Sequence, residues 1–256
     1  MAVVGVSLGG ARARRVVAGV WAFRVGAERQ ARLRFARLAS ELRACNAIPS
    51  VVETALRAED DELRHADLCA DIASRYGHRG AFDAPDAAAR IGPRDAAQRE
   101  RVLYELVAFC CVTESINTAL MMVSLQRATE PIVRAAVREI LADEIQHARL
   151  GWAHLAAERE RGNALDIAAA LPAMLAGTVR EELFAPPDAQ FLDDSLAGHG
   201  ELPRAMRLEI FDRTLRDVVF PGLERLAIDT TAGREWVETR RRARPGIGAQ
   251  VIQDAD

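Results

Sequence analysis

Asp61-Glu62-Leu63-Arg64-His65 and Asp143-Glu144-Ile145-Gln146-His147 are two copies of one short string, D-E-x-x-H. The chain has five histidines, and two of them sit three residues after a glutamate that follows an aspartate. A spacing of three puts Glu and His on one helix face, about one turn apart. Two such helices facing each other offer two carboxylates and two imidazoles to a pair of metal ions. One more Glu from each of two other helices would complete a carboxylate-rich dimetal set.

The surrounding sequence supplies those other helices. The pattern predicts a first helix from about Arg15 to Cys45, a break at Asn46-Ala47-Ile48-Pro49, and a second helix to about Tyr76 with Ser50-Val51-Val52-Glu53 as its capping box. Gly77 to Pro93 reads as a connection. Asp95 fits as the cap of a third helix reaching Arg127. Thr129-Glu130-Pro131 is a tight break before a fourth helix to about Arg161. Short links make helices one and two, and three and four, antiparallel neighbours. A helix of about 28 residues is about 42 Å long, and the 17-residue connection reaches about 56 Å, enough to cross the bundle. One long crossover distinguishes this order from simple up-down-up-down.

Stepping by three and four gives the buried stripes. Helix two reads Val51, Ala55, Ala58, Glu62, His65, Cys69, Ile72, Tyr76, and helix four reads Val133, Val137, Ile140, Glu144, His147, Gly151. A carboxylate inside an apolar stripe demands a cation or a proton. Helix three reads Leu103, Val107, Cys110 or Cys111, Glu114, Thr118, Met121, Leu125, with Glu114 its one acidic member. Glu114 mirrors Glu144 across Thr129, and Glu28 mirrors Glu62 across Cys45.

These residues carry a resemblance. Glu28, Glu62 with His65, Glu114, and Glu144 with His147 resemble the six-ligand set of the ferritin-like di-iron carboxylate superfamily. Phe35-Ala36-Arg37-Leu38, Cys111-Val112-Thr113-Glu114-Ser115 and Ala142-Asp143-Glu144-Ile145-Gln146-His147-Ala148 resemble a group of bacterial ferritin-like domain proteins without a general assigned reaction. The likeness covers about residues 20 to 160. It implies a ferritin-like four-helix bundle over 15–161; the residue pattern itself reads as all-α throughout, with a C-terminal helical extension over 162–244 packed on the bundle and a tail over 245–256 expected to be disordered. The likeness also implies two iron ions, with Mn/Fe or Mn/Mn as alternatives, and it implies that Asp61 orients His147 and Asp143 orients His65. The run Glu28-Arg29-Gln30-Ala31-Arg32 departs from the small residues usual in that group. Arg32 either binds a substrate carboxylate or pairs with Glu28 and removes it from the metals.

Beyond Gly162 the expected elements are Asn163 to Leu183, kinked at Pro172, then Pro203 to Phe220, Pro221 to Ile228 and Thr231 to Arg242, with loops around 185–187 and 197–200. Cys69 reads as a core thiol near the site. Cys110 and Cys111 read as inert core thiols, Met121 and Met122 as core filler, His154 as an interhelical histidine and His199 as exposed. A net charge of -3, with arginine as the sole basic residue type besides histidine and no aromatic-interleaved arginine cluster, speaks against nucleic acid and anionic membrane partners. No apolar run of membrane-span length and no secretory signal is read, so the expectation is cytoplasmic, with free thiols.

The functional expectation is an oxygen-dependent di-iron oxidoreductase, of oxygenase, N-oxygenase or desaturase type, acting on a small molecule reached between helices one and three. Its catalytic machinery is the metal ligands alone. O2 and a small-molecule substrate are the expected partners, with an external electron-donor protein and a homodimer left open. No nicotinamide or flavin fingerprint is present. The alternatives are an iron-handling ferroxidase, storage or peroxide-scavenging protein, and a non-catalytic helical scaffold. Rubrerythrins, which carry a Cys-x-x-Cys iron module, are disfavoured because no such pair occurs here.

Overall fold

The computed structural model describes Leu8 and residues 10–87, 90–163, 165–178 and 194–243. Among them every regular element is helical. Helix α1 spans Ala11–Ala44, α2 Pro49–Arg75, α3 Gln98–Leu106, a π-helical segment Val107–Glu114, α4 Ser115–Arg127 and α5 Pro131–Glu160. A 3-10 turn Ala168–Ala170 leads into α6, Leu171–Thr178. A second 3-10 segment is Asp194–His199. Then come α7 at Arg204–Thr214, a π segment Leu215–Val219, α8 at Phe220–Arg225 and α9 at Thr231–Ala243.

The longest contact is α1 along α2; α2 then packs on α5, and α5 packs on the π segment and α4. The interior of this arrangement is filled by Trp21, Phe35, Leu38, Leu42, Ile72, Leu106 and Ile140, all fully buried. Burying a side chain of this size contributes about 1.5–3 kcal/mol. The elements after Gly162 share this core: Leu171, Met174, Phe211, Leu215 and Leu223 pack with Val107, Cys111 and Val112 of the π segment.

Several local expectations are corrected. Ile48, not Ser50, precedes α2, because Pro49 takes the first helical position, where its missing N–H costs nothing. Asp95 caps nothing; α3 starts at Gln98, and the Glu100 carboxylate reaches back to the Ala97 amide. Pro172 kinks no helix. It is the second residue of α6, and Asn163 and residues 165–167 are not helical. The expected break before Pro221 is also absent, since the chain runs helically from Arg204 to Arg225. The widened turn over Leu215–Val219 precedes the proline, and an opened turn accommodates its ring and missing donor. The residues of the expected 179–183 end, of the 185–187 loop and of the 245–256 tail lie outside the described residues.

The stretch Gln98–Arg127 is long and apolar enough to cross a membrane, with a mean hydropathy of 1.7 over its best window, 61% of which is buried inside the protein. Glu105 and Glu114 interrupt it, so it holds no uninterrupted apolar run of membrane-span length. Met122 is half exposed rather than core, and Cys45 is partly exposed, whereas Met121 and the other three cysteines are buried.

Candidate metal centre

Each sequence-selected ligand lies inside. Glu28 on α1, Glu62 and His65 on α2, Glu114 at the end of the π segment, and Glu144 and His147 on α5 are all less than a tenth exposed. Potential ligand atoms of Glu28, Glu62, His65 and Glu144 lie within 4.8 Å of one another, a group that could hold a metal ion.

The two central glutamates each face both histidines. Glu62 places Oε2 3.5 Å from His65 Nδ1 and Oε1 3.1 Å from His147 Nδ1. Glu144 places Oε1 3.8 Å from His65 Nδ1 and Oε2 3.4 Å from His147 Nδ1. The imidazole centroids are 5.8 Å apart. Despite these approaches, both oxygens of Glu62, both of Glu144 and Nδ1 of each histidine are buried without an acceptably oriented hydrogen bond. Buried polar atoms are ordinarily partnered, because a missing partner costs about 1–3 kcal/mol each. Six such atoms converging on one spot are a donor set suited to a cation.

The electrostatics agree. Burial, and then the charges of Glu62 and Glu144, push Glu28 well above the usual carboxylate range. Burial, and then Glu144, do the same to Glu114. Burial would also raise Glu62, but contact with His147 and His65 outweighs it and holds that carboxyl down at about 2. Burial disfavours the protonated imidazoles, yet the surrounding carboxylates overcome it and raise both His65 and His147. Protons therefore supply positive charge that the cluster otherwise lacks.

The outer ring nitrogens are held by the preceding aspartates of the opposite helices. His65 Nε2 is 3.1 Å from Asp143 Oδ2, and His147 Nε2 is 3.3 Å from Asp61 Oδ2. An aspartate accepting from Nε2–H leaves Nδ1 turned toward the carboxylates. Arg64, to which the sequence reading gave no role, ties the two aspartates together. Its Nη2 donates to Asp61 Oδ1 at 2.9 Å and to Asp143 Oδ2 at 2.6 Å, while Nε donates to Glu139 at 3.1 Å. The available signal was its i,i+3 spacing from Asp61 within the first copy of the repeated string.

The local backbone explains how Glu114 arrives. In the π segment the Thr113 hydroxyl donates to the Ala108 carbonyl at 3.0 Å, taking up an acceptor that the widened turn leaves displaced. The segment presses on α5 at Gly151, where a Cβ would come 2.7 Å from Cys111 Sγ and 2.8 Å from Cys110 Cβ. Both cysteines are thereby buried, resolving the choice between them in the helix-three stripe.

Arg32 is not a partner of Glu28. Its guanidinium turns to Glu59 at 3.5 Å and is 40% exposed. The arginine whose charge acts on Glu28 is Arg24, one turn earlier, whose Nη2 donates to the Gly200 carbonyl and whose plane stacks 4.3 Å from the Trp21 ring. Cys69 is fully buried, and its thiol is pushed up by burial and then by Glu28, placing it beside the cluster. His154 is buried, its pKa depressed by burial. His199 is corrected from exposed to buried: Tyr76 Oη and His199 Nδ1 are 2.5 Å apart, and Trp21 Nε1 donates to its carbonyl at 3.0 Å.

Comparison of the chain with protein-family models, with curated proteins and with solved structures finds no match.

Proposed function

We propose that the helices α1, α2, α3 through α4, and α5 form a ferritin-like four-helix bundle whose four glutamates and two histidines hold two metal ions, with iron as the leading choice and Mn/Fe or Mn/Mn as alternatives. The protein is then a non-haem di-iron oxidoreductase that uses O2 to oxidise a small molecule. The observation supporting this most directly is that Glu62 and Glu144 each turn one unpartnered oxygen toward each histidine. Glu28, Glu62, His65 and Glu144 would hold one ion, and Glu62 and Glu144 together with His147 and Glu114 would hold the second. Four carboxylates also balance two divalent cations, with neutral imidazoles adding no charge.

When bound, the metals would supply O2 binding and reduction. The chain's own part is to fix ligand orientation through Asp61 and Asp143, to keep the pocket dry with Phe35, 5.0 Å from the His147 ring, and to leave the α1/α3 side free of histidine. Reducing electrons come from an external electron-donor protein or from the substrate. The elements after Gly162, packed on the π segment, favour a shaped small-molecule site over iron storage.

The test is to load the protein anaerobically with Fe(II), add O2, and follow O2 uptake and iron retained, beside Glu62→Ala/Glu144→Ala. The proposal expects about two irons per chain and O2 uptake that the variant loses. Continued iron accumulation far beyond two per chain would favour the iron-handling reading. Failure to retain iron at all would favour a non-catalytic scaffold.

A further inference from the structure

A cavity of about 440 Å³ lies where the connection before α3 crosses that helix, lined chiefly by Arg90, Ile91, Gly92, Arg94, Arg101 and Glu105. Its floor is Glu105, 2% exposed, which accepts from Arg34 Nε at 3.2 Å and pairs with Arg37. At its rim Arg90 pairs with Glu41. Arg101 spends one nitrogen on the Ala96 carbonyl at 2.6 Å, a contact that leaves its charge uncancelled. Neither Arg94 nor Arg101 has a carboxylate ion pair among the described residues. With Glu41 engaged by Arg90, and Glu105 by Arg34 and Arg37, the positive charge that the lining of the hollow has to offer is that of Arg94 and Arg101.

Arg34 ties the cavity's Glu105 to α1. Arg34, 14% exposed in its side chain, pairs with Glu105, stacks 4.7 Å from the Phe109 ring and feels the charge of Glu114. Arg34 therefore pairs with a residue of the hollow and feels, at longer range, a candidate ligand. Its wall is also partly apolar, since Ile91 packs against buried core residues and Gly92 sits against the Tyr104 ring. An arginine pair reads a planar oxyanion through paired N–H donors, whereas a cation or neutral ligand would meet net positive charge.

We propose that this cavity binds the oxyanion group, carboxylate or phosphate, of a small organic acid, with Arg94 and Arg101 as the binding pair. That this acid is the substrate oxidised at the metal centre rests on the function proposed above; the binding itself does not. The test is calorimetric titration of the metal-free protein at low salt with octanoate and, separately, with inorganic phosphate. The expected result is saturable binding of at least one of the two at one per chain. Octanoate alone would identify a carboxylic acid, and phosphate alone a phosphate ester.

Arg94→Gln/Arg101→Gln should weaken that binding at least about tenfold, the scale of losing charge-assisted hydrogen bonds. If the double variant melts early, Arg94→Gln alone, at an exposed position, should still weaken it several-fold. Arg216→Gln, on a surface helix elsewhere, should bind as wild type. Glu62→Ala/Glu144→Ala should also retain anion binding, which separates this inference from the metal reading. Absence of saturable binding for both anions, or unchanged binding in the arginine variants, would overturn it.

Discussion

Two buried histidine clusters sit in this molecule and treat their polar atoms in opposite ways. At the end of α2, His199 Nδ1 meets the Tyr76 hydroxyl, its carbonyl accepts from Trp21, and Gly198 accepts from the Thr129 and Glu130 amides. A Cβ on Gly200, at φ +89°, would come 2.6 Å from Trp21. Partners close every one of these contacts, and the cluster fastens the 194–200 segment to α1 and to the α4–α5 turn. In the middle of α2 and of α5, by contrast, His65 and His147 present Nδ1 atoms without hydrogen bonds to carboxylates that are likewise unpartnered. Satisfied burial is a fastener; unsatisfied burial is a donor set suited to a charge.

Removing the central carboxylates breaks the contrast most sharply. Glu62→Ala/Glu144→Ala should abolish metal retention, read by elemental analysis. The metal-free variant should melt no lower than metal-free wild type, because it relieves an uncompensated cluster. A variant that keeps its metal would sink the comparison.

Gly151→Val should come next. The added side chain collides with the π segment, and overpacking of this kind costs about 1–3 kcal/mol. A lowered melting temperature together with weakened metal binding is expected, since the same contact seats Glu114. Weakened stability with full metal affinity would detach the π segment from the site.

At the fastened cluster, Tyr76→Phe should cost about 1 kcal/mol, the net worth of a buried hydrogen bond plus an acceptor left alone, with metal content unchanged. Arg64→Gln should do the reverse. Metal affinity should fall about tenfold as the aspartates lose their tie, while denaturant midpoints barely move, because the guanidinium is 44% exposed.

The smallest effect is a pH slope. In the metal-free protein His65 and His147 are raised above 6.5, and Glu28 and Glu114 well above 4.5. Each binds its proton more tightly folded than unfolded. Its contribution is therefore complete below the unfolded value and is lost as pH rises through the folded one. Glu62 opposes them only as pH falls toward about 2. The metal-free melting temperature should drop as pH climbs above about 4.5, more steeply above about 6.5, and metal, by displacing these protons, should flatten that slope. An upward slope without metal would contradict the charge account.

Much of the centre was legible in the sequence because helical periodicity is rigid. Steps of three and four placed Glu62, His65, Glu144 and His147 on buried stripes, and reflection across the turns at Cys45 and Thr129 picked out Glu28 and Glu114. What escaped depended on contacts that spacing does not encode. The π segment adds an extra residue to the turn, so stepping left Cys110 and Cys111 undecided. Ser50 looked like a cap until Pro49 occupied the first helical position. His199 sits among glycines, and its burial comes from Tyr76, 123 residues away. Arg64 and Arg34 act across helices, and a single strand of sequence shows neither partner.

The account rests on two metal positions spanned by Glu62 and Glu144, and the most direct test is a calorimetric titration of the metal-free protein with Fe(II) under anaerobic conditions. It predicts saturation at about two equivalents per chain, with proton release that grows as the buffer is made more acidic, because more of His65, His147, Glu28 and Glu114 is then protonated before metal arrives. Saturation at one equivalent, or heat too small to fit with an unchanged melting temperature, would contradict it.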